Sequence, residues 1–132
     1  MHERTILIAG ADTEGQALLA ASLAAAGYAA AVASGADASA LVSPTYPDAV
    51  VLDVTRLAPE AAVALVRALR AATERPLLAI VAQHDGETGP AVLDAGADDF
   101  VRPPVAAPEL QARLRALLRP RRGRSSFHQT FM

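Results

Sequence analysis

The stretch Pro47-Asp48-Ala49-Val50-Val51-Leu52-Asp53 decides the fold. Its apolar residues run without alternation, as a strand buried on both faces of a sheet requires. Asp53 then places a carboxylate at the carboxyl end of that strand. In an open parallel α/β sheet, ligands collect in the crevice outside those ends. Asp53 is therefore a candidate nucleophile, metal ligand or phosphate acceptor.

Outward from this strand, the pattern alternates. Thr5 to Ala9 is a short apolar run rich in β-formers, read as strand one. Asp12 or Thr13 can cap a helix from Glu14 to Ala26, with Leu18, Leu19 and Leu23 on one face and Gly27 at its end. Tyr28 to Ala33 is a weaker second strand. Ser34-Gly35 opens a second helix that Ser43-Pro44 stops. After strand three, Glu60 to Ala72 carries the helical stripe Val63, Val66 and Leu69. Leu77 to Val81 reads as strand four, Thr88 to Ala95 as a marginal helix, and Phe100-Val101 as strand five. Pro108 starts a last helix holding Leu110, Leu114, Leu117 and Leu118. Five strand–helix alternations with short connections predict a doubly wound α/β domain with a five-stranded parallel sheet.

The bulk composition narrows the function. The chain has 132 residues, no cysteine and no lysine, and alanine makes up about a quarter of it. Disulfides and thiolate metal sites are excluded. Before Arg119 there are eight arginines against fourteen acids, whereas the last fourteen residues hold four arginines and no acid. An acidic folded body does not attract nucleic acid by its own field. Residues 1–119 are read as the domain and 120–132 as a basic tail or the start of a linker. The uncharged stretch from Gly15 to Ala36 is mostly alanine and falls short of the strongly apolar span that a bilayer requires. Met1-His2-Glu3-Arg4 lacks the basic region and cleavage site of a signal peptide, so the expected location is cytoplasmic. His2, His84 and His128 are scattered, and Asp12, Asp53, Asp98 and Asp99 lack the spacing of a metal loop. No metal site, cofactor or catalytic triad is expected.

The chain resembles the receiver domain of two-component response regulators, closest to those of winged-helix transcription factors. The resemblance runs from residue 5 to 119 with a one-residue insertion near Leu57 to Pro59. It rests on Pro47 to Asp53, Gly96-Ala97-Asp98-Asp99-Phe100, and the helix from Glu109 to Arg119, with Gly27-Tyr28 before strand two. It implies the flavodoxin-like receiver fold, with strand order 2-1-3-4-5. It also implies a phosphoryl group transferred from a histidine kinase to Asp53 with the help of Mg²⁺, which shields the oxygens from the carboxylate.

The residues that support this transfer are missing. The two acidic metal-holding positions after strand one are Gly10 and Ala11, with Asp12 one place further on. The hydroxyl position ending strand four is Val81, and the lysine position after strand five is Pro103, followed by Pro104. The resemblance implies a cis bond between these two prolines. The switch aromatic, Phe100, remains. Asp53 is left with two roles: a capping or backbone-bonding side chain, or a phosphoacceptor.

The first expectation is a phosphorylation-independent receiver acting through protein–protein contact. The family's dimer face corresponds to Leu93, Asp98, Asp99, Glu109, Arg113 and Arg115, and Asp99 could pair with Arg113 of a second protomer. Gly89 stands where a basic residue usually supports such dimers. Implied partners are a second copy, a histidine kinase or another signalling protein, with DNA contacted only through a separate output domain. Two alternatives stay open: a small-molecule sensor with its ligand in the former phosphate pocket, and residual Mg²⁺-dependent phosphorylation using Asp12 and Asp53.

Overall fold

The structure is a computed structural model and describes residues 3–10 and 13–120. The elements are β1 (Thr5–Gly10), α1 (Thr13–Ala25), β2 (Ala29–Ala33), α2 (Ala38–Thr45), β3 (Ala49–Asp53) and α3 (Pro59–Ala72). They continue as β4 (Leu77–Ile80), α4 (Thr88–Ala95), β5 (Asp99–Val101) and α5 (Ala107–Leu118). The five strands are parallel, in the order β2-β1-β3-β4-β5 expected from the sequence. Pro103-Pro104 is a cis bond.

Because strand side chains alternate in direction, each central strand feeds two cores. Leu7, Ala9, Val50, Leu52 and Ala79 pack with α2, α3 and α4 through Val42, Val66, Leu69 and Val92. Ile6, Ile8, Val51 and Leu78 pack with α1 and α5 through Leu23, Leu110 and Leu114. The unbroken apolar runs thus mark strands with both faces covered. Edge strand β2 alternates in burial instead, and Val32 remains 49% exposed.

Two aspartates clip strand starts by the same device. The Thr5 amide donates to Asp48 Oδ2 at 2.7 Å while the Asp48 amide donates to the Thr5 carbonyl at 2.7 Å. The Leu77 amide donates to Asp98 Oδ2 at 2.8 Å, and the Asp98 amide donates to the Leu77 carbonyl at 2.8 Å. Each carboxylate sits just ahead of one strand and fixes its register on the neighbour. Hydrogen bonds to a charged acceptor contribute about 1.5–3 kcal/mol each.

Two sequence expectations need correction. α2 begins at Ala38, not at Ser34-Gly35, because Ser34 and Asp37 close a separate turn. The Asp37 amide donates to Ser34 Oγ, and Ser34 Oγ donates to Asp37 Oδ2. Pro44 lies inside the last turn rather than ending the helix, which stops at Tyr46 in the left-handed conformation (φ 50°). The second correction is Leu18, which is 72% exposed. Leu19 and Leu23 share the inner face four residues apart, and Leu18 is turned about 100° from Leu19. The inner face of α1 carries Gln16 instead, 2% exposed.

Candidate functional site

The register sets Gly10 beside Asp53 at the carboxyl ends of β1 and β3, and Asp53 beside Ile80 of β4. Asp53 is half-buried. Its Oδ1 accepts from the Thr55 amide at 3.0 Å and from Thr55 Oγ1 at 2.7 Å. This local turn occupies one carboxylate oxygen and leaves Oδ2 without a hydrogen bond among the described residues.

Around Asp53, each receiver position has a chemically silent residue. Gly10 carries no oxygen, and a Cβ there would stand 2.9 Å from Asp53 Cβ, from the Asp53 carbonyl oxygen and from Gln16 Nε2. The position is therefore filled by its neighbours, and an added side chain must displace them. Val81 is fully buried, its amide bonded to the Val101 carbonyl, and has no hydroxyl to offer. Pro103 is half-buried and uncharged. Ala11 and Asp12 lie outside the described residues. A divalent cation needs several oxygen ligands, and among the described residues no group of three acidic or histidine side chains converges. The described residues do not fit a magnesium site.

Sequence reading missed Gln16. Its Nε2 is buried and has no hydrogen-bond partner among the described residues, which costs about 1–3 kcal/mol for an unsatisfied group. A helical residue at spacing 16, 20, 23 on an inner face is the only available signal, and it gives no direction for the amide.

Asp53 lines two cavities. The smaller, ≈ 270 Å³, lies between α1 and the start of α5, with Gln16, Leu19, Val105 and Leu110 in its walls. The larger, ≈ 590 Å³, lies between the turn before α2 and the outer face of α3. Its walls include Gly10, Ser34, Gly35, Ala36, Leu57, Ala61, Ala64, Leu65 and Ala68, with Asp53 as the one charged residue among the described residues.

The switch aromatic is held from two sides. The Phe100 ring packs on Gly89 in α4, and the Arg102 guanidinium lies 4.9 Å from the ring centroid, a cation–π contact. Asp85 organises the start of α4. Its Oδ1 accepts from the Glu87 and Thr88 amides at 2.8 and 3.2 Å, and Thr88 Oγ1 donates to its Oδ2. The Thr88 hydroxyl first, and then the Glu87 amide, hold the Asp85 carboxyl below its usual range.

The residues expected on one dimer face separate into three groups. Asp99 and Arg113 pair within the chain at 3.0 Å, and Glu109 joins at 3.4 Å. The hydrogen bond and charge of Asp99 hold the Arg113 guanidinium above its usual range. Both members are substantially exposed, so the pair contributes at most about 1 kcal/mol. Asp98 belongs to an interior staple: Arg70 Nη1 donates to Asp98 Oδ2 at 3.2 Å and to the Gly96 carbonyl at 2.8 Å. Arg115 lines a groove with Arg4, Tyr28 and Arg119, away from Asp99. Of the set, Leu93 is the exposed apolar residue.

An open parallel sheet in this order, with an aspartate ending its central strand, defines a receiver-type domain. No family model matches the chain. The response regulator MprA of Mycobacterium sp. (strain KMS) is 40% identical over 102 residues, covering 74% of this chain and 44% of the relative. The chain thus spans less than half the length of the curated relatives it matches. The receiver domain of the TMAO respiratory response regulator TorR is 30% identical with a TM-score of 0.77, over 87% of this chain and 96% of that one. The BeF3-activated receiver domain of Klebsiella pneumoniae RstA is 26% identical with a TM-score of 0.78, over 89% of this chain and all of that one. The chain belongs to the response regulator receiver family of two-component signal transduction. Among the described residues, no helix is long and apolar enough to cross a membrane.

Proposed function

We propose that this receiver signals without aspartyl phosphorylation and acts as a protein-interaction module. The observation that carries the reading is the filled space at Gly10, where Asp53 and Gln16 Nε2 stand 2.9 Å from the missing Cβ. A carboxylate cannot enter there, so the acceptor lacks the acidic neighbour that would hold a cation against it. Val81 and Pro103 supply neither hydroxyl nor positive charge for phosphoryl oxygens, so the usual electrostatic stabilisation of a transferring phosphoryl group is missing.

Without phosphate, a change of state requires a ligand or partner with different affinities for two conformations. Self-association uses the exposed edge of α4 at Leu93, next to the Asp99–Arg113–Glu109 cluster. Histidine kinases and other signalling proteins are the alternative partners for the module. DNA contact belongs to a separate output domain, because the described domain is acidic overall.

Sedimentation of the wild type, Leu93→Glu and Asp53→Asn, with and without acetyl phosphate and Mg²⁺, tests the reading. Leu93→Glu is expected to weaken self-association, and Asp53→Asn and phosphodonor to leave it unchanged. Assembly that responds to phosphodonor and is lost in Asp53→Asn contradicts it.

A further inference from the structure

We infer that the cavity between α2 and α3 binds a small amphiphilic cation, with its ammonium on Asp53 and its apolar body along α3. This inference deepens the phosphate-free reading by giving the pocket a ligand class. It stands independently of the dimer face.

The cavity of ≈ 590 Å³ falls within the usual range for small-molecule pockets. Its long wall is apolar and built of small side chains, Ala61, Leu65 and Ala68, closed at one end by Leu57. Among the described residues its charge is a single carboxylate, and none of its lining residues is a cation. Asp53 Oδ1 is taken by Thr55, which fixes the group's orientation, while Oδ2 has no bond among the described residues. A positioned carboxylate oxygen beside an apolar wall selects a ligand with an ammonium at one end.

Gly10 is part of the cavity wall. Asp53 and Gln16 Nε2 already occupy the space over it, and Gln16 lines the other cavity, between α1 and α5. Among the described residues, Asp53 is thus the polar anchor on this side, and the head group that answers it is an ammonium.

The probe is phenylalaninol, which carries an ammonium, an adjacent hydroxyl and an apolar ring. Amide chemical shifts are followed in the wild-type domain, with 3-phenylpropanol and phenethylamine as the forms lacking the ammonium or the hydroxyl. Phenylalaninol is expected to saturate at about millimolar concentration, as fits a ligand of its size, with shifts at Gly10, Leu57 and Leu65. Asp53→Asn weakens it about tenfold or more, and Ala61→Leu, which narrows the cavity without touching Asp53, abolishes it. Phenethylamine, which keeps the ammonium, binds about as well as phenylalaninol, and 3-phenylpropanol most weakly. Equal binding by 3-phenylpropanol, binding that survives Ala61→Leu, or no saturable phenylalaninol binding overturns the inference. Mg²⁺ shifting the same resonances at similar concentration overturns it too, and that outcome alone would also weaken the phosphate-free reading.

Discussion

The Phe100 ring rests directly on Gly89: a Cβ on Gly89 would stand 2.6 Å from two of its ring carbons. The family's switch aromatic is therefore seated in a space that exists because α4 has no side chain at that position. Arg102 closes the other side of the ring. In a chain whose strand four is followed by Val81, that position has no hydroxyl to move inward and make room for a different position of Phe100.

Gly89→Ala is expected to push Phe100 outward. Overpacking of this kind costs about 1–3 kcal/mol, against a gain of about 0.5–1 kcal/mol from alanine in a helix. Urea unfolding should show a net loss of stability, with the Phe100 and Val92 resonances shifted most. Unchanged stability and shifts would show that the ring has other room.

Arg70 joins three segments through one guanidinium: the end of α3 at Thr73, the end of α4 at Gly96, and Asp98 before β5. It also donates to the Arg75 carbonyl. Arg70→Ala should cost about 1–3 kcal/mol, since partly buried acceptors lose a charged donor. Arg70→Lys should recover little, because the fork geometry is lost. Denaturant midpoints of the two variants check this; full recovery by lysine would mean that charge alone matters.

Asp85 makes the start of α4 sensitive to acid. Its folded carboxyl is held below the usual value by Thr88 and by the Glu87 amide. A depressed folded pKa contributes stability that is present above the unfolded pKa, about 3.9, and lost as pH falls through the folded value. The protection factors of the Thr88 and Gly89 amides, after correction for intrinsic exchange, should therefore fall on acidification below about pH 4, and Asp85→Asn should flatten that dependence. A wild-type-like acid response in Asp85→Asn contradicts the assignment.

Gly10→Ala should destabilise the domain by about 1–3 kcal/mol, because three atoms already stand 2.9 Å from the added carbon. Gln16→Ala should relieve part of that loss. Contacting residues typically couple by about 0.5–3 kcal/mol, so the double mutant is expected to be less destabilised than the sum. Strict additivity would place Gln16 away from position 10.

The sheet was legible because Ile6 to Ile8, Val50 to Leu52 and Leu77 to Ala79 are unbroken apolar runs, and such runs fit only strands covered on both faces. Gly10, Val81 and Pro103 were legible as losses because the absence of a carboxylate, hydroxyl or ammonium is a property of residue type. What those losses leave behind was not legible. The amide of Gln16, the ring position of Phe100 and the inward pairing of Asp98 depend on side-chain direction, which residue spacing does not encode. Arg113 and Asp99 were legible as complementary charges, but their pairing within one chain was not, since charge alone does not distinguish a neighbour in the chain from one in a second copy.

The central claim is tested most directly by intact-mass spectrometry of the domain after incubation with acetyl phosphate and millimolar Mg²⁺. A chain lacking cation ligands at Gly10, a hydroxyl at Val81 and a positive charge at Pro103 should keep its unmodified mass, as should Asp53→Asn. A single phosphoryl adduct formed stoichiometrically on the wild type and absent from Asp53→Asn would contradict the account.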